Sequence, residues 1–594
     1  MNKGRINPSG KQEKPKNVRH VLKRLWDYLS YFKFLLILSL VLMLLSNAFS
    51  LIGPKLSGYA IDALDLGKGQ VDFSNVYKYA ILMVIFYIFS GIFSYVLSII
   101  MLKMSKKIVF KLRKDAFDKL TKLPISYFDT NKTGDIISKM NYDIDTINTS
   151  LSSDLIQILT SIITVIGSLI MMITISPILV LVFVITIPIS LLFTRRMIKK
   201  TRKMFSKKSS TLGELNAFSE EMITGLKTIK AYSREEVMLE RFDKHNSEAT
   251  NWAYLAEYYS SYTGPGVNFV NNLSLSLICI FGAVLSVVSN FSLGKISSFI
   301  LYSRKFSGPI NEVANIFTDL QSSLAAAERV FGLIDATPES SDVYNAIELS
   351  DVKGDVEVSN VSFSYNENSR MILNDISFKA NSGKTIAIVG KTGSGKTTIV
   401  NLLMRFYDVN SGTILLDGES IYKIKRNDLR KSYAMVLQDT WLFEGSVYDN
   451  LTYGKKDASI DEVIKAAKAS KIHSFIQKLP NGYDTILKDG GINISKGQKQ
   501  LLTIARAMLL DSHMLILDEA TSNVDTRTEV QIQEAMKELM KNKTCFIIAH
   551  RLSTIQNADL ILVVNDGKIV ESGNHKELLL KKGFYSELYN AQFN

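Results

Sequence analysis

The chain has 594 residues, 46% of them hydrophobic and 21% charged, with a net charge of +13 at neutral pH. This is too apolar for an ordinary soluble enzyme and too charged for a protein lying wholly in lipid, so a membrane part joined to a soluble part is expected. The positive charge forms no compact patch of the kind that binds nucleic acid. Lys and Arg instead crowd the N-terminal tail (Lys11, Lys14, Lys16, Arg19) and the flanks of apolar runs (Lys106, Lys107, Lys111; Arg195, Arg196, Lys199), as on the cytoplasmic side of a membrane protein.

Residues 1–33 read as a basic tail with an elbow helix, and the first apolar run lacks the cleavage site of a signal peptide. Stretches long enough to cross a bilayer lie near 34–61, 76–103, 152–175, 178–194, 265–289 and 296–320. They predict an all-α, six-helix membrane domain over 34–335. The third and fourth stretches are separated only by Ser176-Pro177, whereas the second and third, and the fourth and fifth, are joined by long charged helical segments. The positive-inside rule then places both chain ends and both long loops in the cytoplasm. The loops are placed to touch a cytosolic domain, or else are solvated amphipathic hairpins.

Polar residues interrupt the last two spans: Asn268, Asn271 and Asn272 in the fifth, Arg304 with Lys305 in the sixth. Intramembrane polar groups usually face a bundle interior or a water-filled cavity, which makes these residues candidates for a substrate cavity. Asn–Asn packing between helices and a lysine snorkelling to the interface are the competing readings. Asp62 and Asp65, at the outer end of the first span, are candidates for an external gate. The two cysteines, Cys279 and Cys545, define no disulfide framework.

After Pro338 the character changes. A linker over 336–350 leads into 351–594, where short β-rich runs (356–358, 385–389, 514–517, 545–548) alternate with helical patterns, as in an α/β nucleotide-binding domain. Residues Gly390, Lys391, Thr392, Gly393, Ser394, Gly395, Lys396 and Thr397 form a complete P-loop pattern between a predicted strand and a predicted helix, with Thr398 following. Its glycines let backbone N–H groups converge on phosphate oxygens. Lys396 reaches the β/γ-phosphates and the Thr397 hydroxyl is placed for Mg²⁺. The apolar run 514–517 ends in Asp518-Glu519: Asp518 suits Mg²⁺ through water, and Glu519 is the candidate to polarise the attacking water.

Between these motifs lies the segment 491–500, Gly-Ile-Asn-Ile-Ser-Lys-Gly-Gln-Lys-Gln, opening a helical pattern. With it the chain resembles the ABC transporter family over nearly its whole length, specifically the bacterial multidrug-type (type IV) exporters that fuse membrane and ATPase domains. The resemblance implies that Tyr365 stacks on adenine, that Gln438 couples Mg²⁺ to the membrane domain, and that Asp525 lies in the loop crossing to a partner's site. It also implies that His550 is the switch histidine near the γ-phosphate. Ser495, Lys496, Gly497 and Gln498 would be the signature that closes the ATP site of a partner. Residues 123–129 with Thr133, Gly134 and Asp135, and residues 221–232, look like the two cytoplasmic loops of exporters.

One position departs from the family: Lys496 stands where the signature has its first glycine, a change expected to add bulk and restrict φ. Upstream, Lys488-Asp489 replaces the common Gly-Glu. Beside an intact Glu519 and His550, this resembles one subunit of a heterodimeric exporter with one catalytic and one degenerate ATP site, a homodimer being the alternative. The expected function is ATP-driven efflux of hydrophobic or amphipathic compounds across the cell membrane. Lipid flipping and peptide export are the near alternatives, and a non-transporting ATP-gated channel or sensor is the distant one.

Overall fold

The computed structural model describes residues 17–64, 71–366, 370–437, 440–488, 494–518, 525–549 and 555–593. These fall into two compact units, one from the described parts of Met1–Lys122 and Thr133–Thr337, the other from those of Leu123–Lys132 and Pro338–Asn594.

The first unit is helical throughout. Its main elements are α1 (Val18–Ser30), α2 (Lys33–Asp62), α3 (Phe73–Leu120), α4 (Leu155–Ile175), α5 (Pro177–Thr224), α6 (Glu235–Ser261), α7 (Thr263–Ser289) and α8 (Leu293–Ile334). Five segments are long and apolar enough to cross a bilayer: α2, α3, the run Thr133–Ile175 ending in α4, α5, and the run Glu235–Ser289 that joins α6 and α7. The expected sixth falls in α8, where Arg304 and Lys305 break the apolar run, and α8 does not reach that measure among its described residues. The 48-residue helices α3 and α5 reach about 70 Å, more than twice a hydrocarbon core of about 30 Å, so both continue well beyond it.

Local chemistry sets the ends of these helices. Ser176 is extended and its side chain accepts the Leu179 N–H, while Pro177 fills the first helical position of α5, where a missing N–H costs nothing. The helices α2 and α8 approach closely at Gly58 and Gly294. A Cβ on Gly294 would stand 2.0 Å from the Gly58 carbonyl oxygen, and one on Gly58 would stand 1.9 Å from Ser298 Oγ. Small residues at that crossing are therefore obligatory, as is usual where backbones meet inside lipid. At the C-terminal end of α2, Asp62 accepts from Gly294 N (2.7 Å) and Ser292 Oγ (2.9 Å), tying α2 to the first turn of α8. Asp65, named with it as a gate candidate, lies outside the described residues. Further along α8, Arg329 grips the nearly buried Asp143 with two parallel bonds of 2.9 and 2.6 Å, fixing a π-helical turn at Lys139–Asp143.

The second unit is an α/β domain with two main sheets and a short two-stranded one pairing Gly445–Ser446 with Ile486–Leu487. Strands β1 (Val356–Phe363), β2 (Leu373–Ala380), β3 (Thr385–Val389), β4 (Ser411–Leu416), β5 (Glu419–Ser420), β6 (Tyr433–Val436), β7 (Met514–Asp518), β8 (Thr544–Ile548), β9 (Leu560–Asn565) and β10 (Lys568–Gly573) carry it. An antiparallel sheet runs β2-β1-β4-β5, and a second sheet runs β10-β9-β3-β8-β7-β6, parallel except for the β9/β10 pair. Strand β8 is wholly buried. Cys545 and Ile547 point into the core on one face, and Phe546 and Ile548 into the core on the other. Such a strand reads as a continuous apolar run because both faces of the sheet are covered, one by helices and the other largely by the antiparallel sheet.

Candidate functional site

Strand β3 ends in four buried residues, and α9 (Lys396–Leu403) begins six residues beyond Gly390. The turn between them needs left-handed backbone at Gly393 (φ 83°) and Gly395 (φ 108°), a conformation that suits glycine. Nothing lies within 4 Å of where a Cβ on Gly393 would stand, so the loop backbone is open there to a bound group. The loop curls around Lys396, whose Nζ donates to the carbonyls of Gly390 (2.8 Å) and Lys391 (2.9 Å). Burial holds the Lys396 ammonium below its ordinary pKa, partly offset by the Asp518 carboxylate. Ser394 Oγ is buried and has no hydrogen-bond partner among the described residues. A phosphate oxygen would satisfy it, so the loop fits a polyphosphate. Thr392 and Thr397 are exposed at the loop and at the first turn of α9, and Thr398 is buried.

Tyr365 is 41% exposed and its hydroxyl shares a 3.0 Å hydrogen bond with Thr398 Oγ1. Two rings stand edge-on against it, Phe363 at 5.0 Å and Tyr407 at 5.0 Å. The Tyr407 hydroxyl in turn donates to Asp129, on the six-residue helix Ile125–Thr130, which belongs to this same unit. A continuous chain therefore runs from the first predicted cytoplasmic loop, through two tyrosines, to the helix that follows the phosphate loop. The sequence reading singled out Tyr365 and the loop but missed Tyr407. A tyrosine eleven residues after Lys396 carries no local signal of its tertiary partners.

Asp518 closes β7 in register with Ile548 of β8, at the carboxyl edge of the parallel strands, the same edge on which the phosphate loop stands. Ligands of open α/β sheets bind at that edge. The candidate base Glu519, the candidate switch His550, the coupling candidate Gln438 and Asp489 lie outside the described residues.

Ser495, Lys496, Gly497 and Gln498 form the start of α10 (Lys496–Leu509). Ser495 Oγ accepts the Gln498 N–H at 3.3 Å and Gln498 Oε1 accepts the Ser495 N–H at 3.0 Å, a capping box. Lys496 is exposed and takes ordinary helical backbone with no positive φ. The expected restriction of φ by lysine is thus overturned: the position asks for no glycine conformation, and the departure acts through the side chain alone. Asp525 caps α11 (Thr526–Met540) by accepting the Thr528 N–H at 3.0 Å. That bond lowers its carboxyl pKa.

In the membrane unit the predicted cavity residues separate. Asn271 lines a cavity of about 20 Å³ with Thr186, Ser190, Ser274 and Ser307, room for roughly one water with polar partners. Asn268 and Asn272 occupy a different, exposed stripe of α7, and Arg304 is exposed on α8. Lys305 does not snorkel: its Nζ donates to Ser50 Oγ (2.6 Å) and to the Ser50 carbonyl (3.1 Å) on α2.

A phosphate cradle and an acidic strand end on one parallel sheet, borne by a chain that also carries bilayer-length helices, define an ATP-driven membrane protein. The profile described as "ABC transporter transmembrane region" matches residues 36–310, and that described as "ABC transporter" matches residues 373–522. The chain is 42% identical over 532 residues to the fatty acid ABC transporter ATP-binding/permease protein of Mycobacterium bovis, spanning 89% of this chain and 84% of that one. It is 35% identical over 585 residues to the ATP-dependent lipid A-core flippase of Mannheimia succiniciproducens, spanning 98% and 99%. Among solved structures, a bacterial Atm1-family ABC exporter with ATP bound matches with a TM-score of 0.77 and 28% identity, over 95% of this chain and 99% of that one. The chain belongs to the ABC transporter family. It is an ATP-binding and permease chain of the exporter type, with a helical membrane domain, an ATPase domain and a place in the membrane.

Proposed function

We propose that this chain is one half of a two-chain exporter that uses ATP hydrolysis to move an acyl-chain amphiphile, a lipid or a fatty acid, across the cell membrane. The observation that carries the reading is the fusion of a phosphate-binding α/β unit to apolar helices on one chain. The substrates printed for its relatives, a fatty acid and a lipid A-core, favour amphiphiles over the broader multidrug class. Residues 1–33 act as tail and elbow, 34–335 as a six-helix membrane domain, 336–350 as linker and 351–594 as the nucleotide-binding domain, with both termini cytoplasmic.

In this reading Tyr365 stacks on adenine and Gly390, Thr392, Gly393, Ser394, Gly395, Lys396, Thr397 and Thr398 hold the phosphates. Thr397, Gln438 and Asp518 hold Mg²⁺, which supplies charge neutralisation on the phosphates and is bound mainly by them and by water. Glu519 orients and polarises the attacking water, and His550 senses the γ-phosphate. Ser495 to Gln498 present the N-terminus of a 14-residue helix, a surface suited to phosphate, to the partner's nucleotide. Lys496 adds a side chain that a glycine signature lacks, which favours a heterodimer in which the two ATP sites differ. Asn271 is the predicted cavity residue best placed to line a substrate path.

The reading is tested by ATPase assays of the reconstituted transporter with and without long-chain amphiphiles. Stimulation that disappears in Glu519→Gln, with nucleotide binding retained, is expected. A chain whose ATPase no amphiphile changes would contradict the substrate class. Co-purification of a second transporter chain would support the heterodimer. Full stimulated activity from this chain alone would overturn it.

A further inference from the structure

We propose that Lys305 and Arg304 form an anion site at mid-depth in the membrane that selects amphiphiles carrying a carboxylate or phosphate head; this rests on the amphiphile reading above and narrows it.

Lys305 lies twelve residues into α8, about 18 Å along the axis, near the middle of a core about 30 Å thick. Its bonds explain how it is held but not why it is charged. Pro54 stands inside α2 and has no N–H, so the Ser50 carbonyl one turn earlier loses its helical partner. Lys305 Nζ takes up that carbonyl and the Ser50 hydroxyl. The neighbouring turns of α8 bond α2 in the same manner with neutral groups, Tyr302 to the Leu51 carbonyl at 2.5 Å and Ser298 to the Pro54 carbonyl at 2.9 Å. A neutral donor thus suffices to join the two helices at this crossing, yet at Lys305 the chain places an ammonium.

Among the described residues no carboxylate pairs with Lys305 or with the adjacent, exposed Arg304. Asp62, the acid at the C-terminal end of α2, is taken up by Ser292 and Gly294. Lys55, also on α2, only adds positive charge. Both acceptors on Ser50 are neutral, and among the described residues a third N–H of the ammonium is left over. Charged side chains inside the membrane are costly and mark substrate or ion pathways, even where they also bond backbone carbonyls. A carboxylate or phosphate head at this depth, with its acyl chain among the apolar side chains, offsets that cost. The same charge would hold a cationic amphiphile away.

The test uses the full-length transporter, purified with its partner chain where one co-purifies, in phosphatidylcholine nanodiscs. ATPase stimulation is titrated with palmitate, hexadecyl phosphate, hexadecanol and hexadecylamine. The wild type is expected to respond to palmitate or hexadecyl phosphate at concentrations at least about tenfold below those of the alcohol and amine, the worth of one charge-assisted hydrogen bond. Which of the two anions acts identifies the head group. Lys305→Gln keeps a donor for the Ser50 carbonyl and should lose the preference for the anion, whereas Lys305→Arg should keep it. Each variant's response to hexadecanol is its internal reference. Should Lys305→Gln fail to assemble, Arg304→Gln, which breaks no bond between helices among the described residues, should reduce the preference about threefold or more. Equal potency of acid and alcohol in the wild type, or an unchanged preference in both Gln variants, would overturn the anion site while leaving amphiphile export standing. No response to any of the four would contradict the export reading and the site together.

Discussion

Lys396 is 8% exposed, and its ammonium is spent on two carbonyls of its own loop. Nucleotide phosphates offer it a stronger partner, so ATP binding should open those two bonds and draw the lysine toward the β/γ-phosphates. Lys396→Ala is therefore expected to weaken ATP binding by at least about tenfold, since a hydrogen bond to a charged group is worth about 1.5–3 kcal/mol; nucleotide titration checks it. A loss of turnover without loss of affinity would show that the lysine acts later in the cycle. Cys545 is a second residue whose behaviour follows from its place. Burial in β8 pushes its thiol up to about 12, with the nearby Lys543 charge acting the other way, so almost no thiolate exists at pH 8. A maleimide should leave Cys545 unlabelled in the native protein and label it fully after denaturation, as mass spectrometry of the two states would show. Native labelling would mean that the strand opens.

At the scale of elements, α2 and α8 cross in close backbone contact at Gly58 and Gly294. Gly294→Val would drive a side chain into the Gly58 backbone and the Asp62 carboxylate, both within 2.5 Å of the new Cβ. Overpacking of that kind costs about 1–3 kcal/mol, visible as a lowered Tm, whereas Gly91→Val, with nothing within 4 Å, should change Tm little. The chain Asp129–Tyr407–Tyr365–Thr398 is the second element-scale feature. Tyr407→Phe keeps the ring against Tyr365 and removes only the hydroxyl bond to Asp129. ATP affinity should stay within about twofold while amphiphile-stimulated turnover falls, since one neutral-to-charged bond outside the phosphate cradle is lost. An equal loss in both would assign Tyr407 to nucleotide binding alone.

Elements whose cause is local were legible in the sequence. Strand β3 runs over the predicted 385–389, β7 and β8 exceed their predicted runs by one residue each, and α5 starts at the Pro177 that the Ser-Pro pair announces. The phosphate loop was legible for the same reason: its glycines, lysine and threonines act within one turn of chain. Contacts between residues far apart in sequence were not. Lys305 finds Ser50 because Pro54 frees a carbonyl 255 residues away, and periodicity cannot report such a pairing. Asn271 and Asn272, neighbours in sequence, divide between a cavity and an exposed stripe, because a 100° step along a helix separates them. Lys496 was misjudged through its backbone: the family pattern supplies a glycine, but the start of α10 needs only helical φ.

In the whole molecule, the proposed function couples ATP hydrolysis in one unit to movement of an amphiphile through the other. The direct measurement is ATP-dependent transfer of a labelled long-chain fatty acid or lipid in inside-out vesicles bearing the full transporter, beside vesicles bearing Glu519→Gln. Removing a general base typically costs about 10²–10⁴ in rate. Transfer is expected to require hydrolysable ATP and to fall at least about tenfold in the variant. Transfer at the same rate without ATP, or undiminished in Glu519→Gln, would contradict the proposed function.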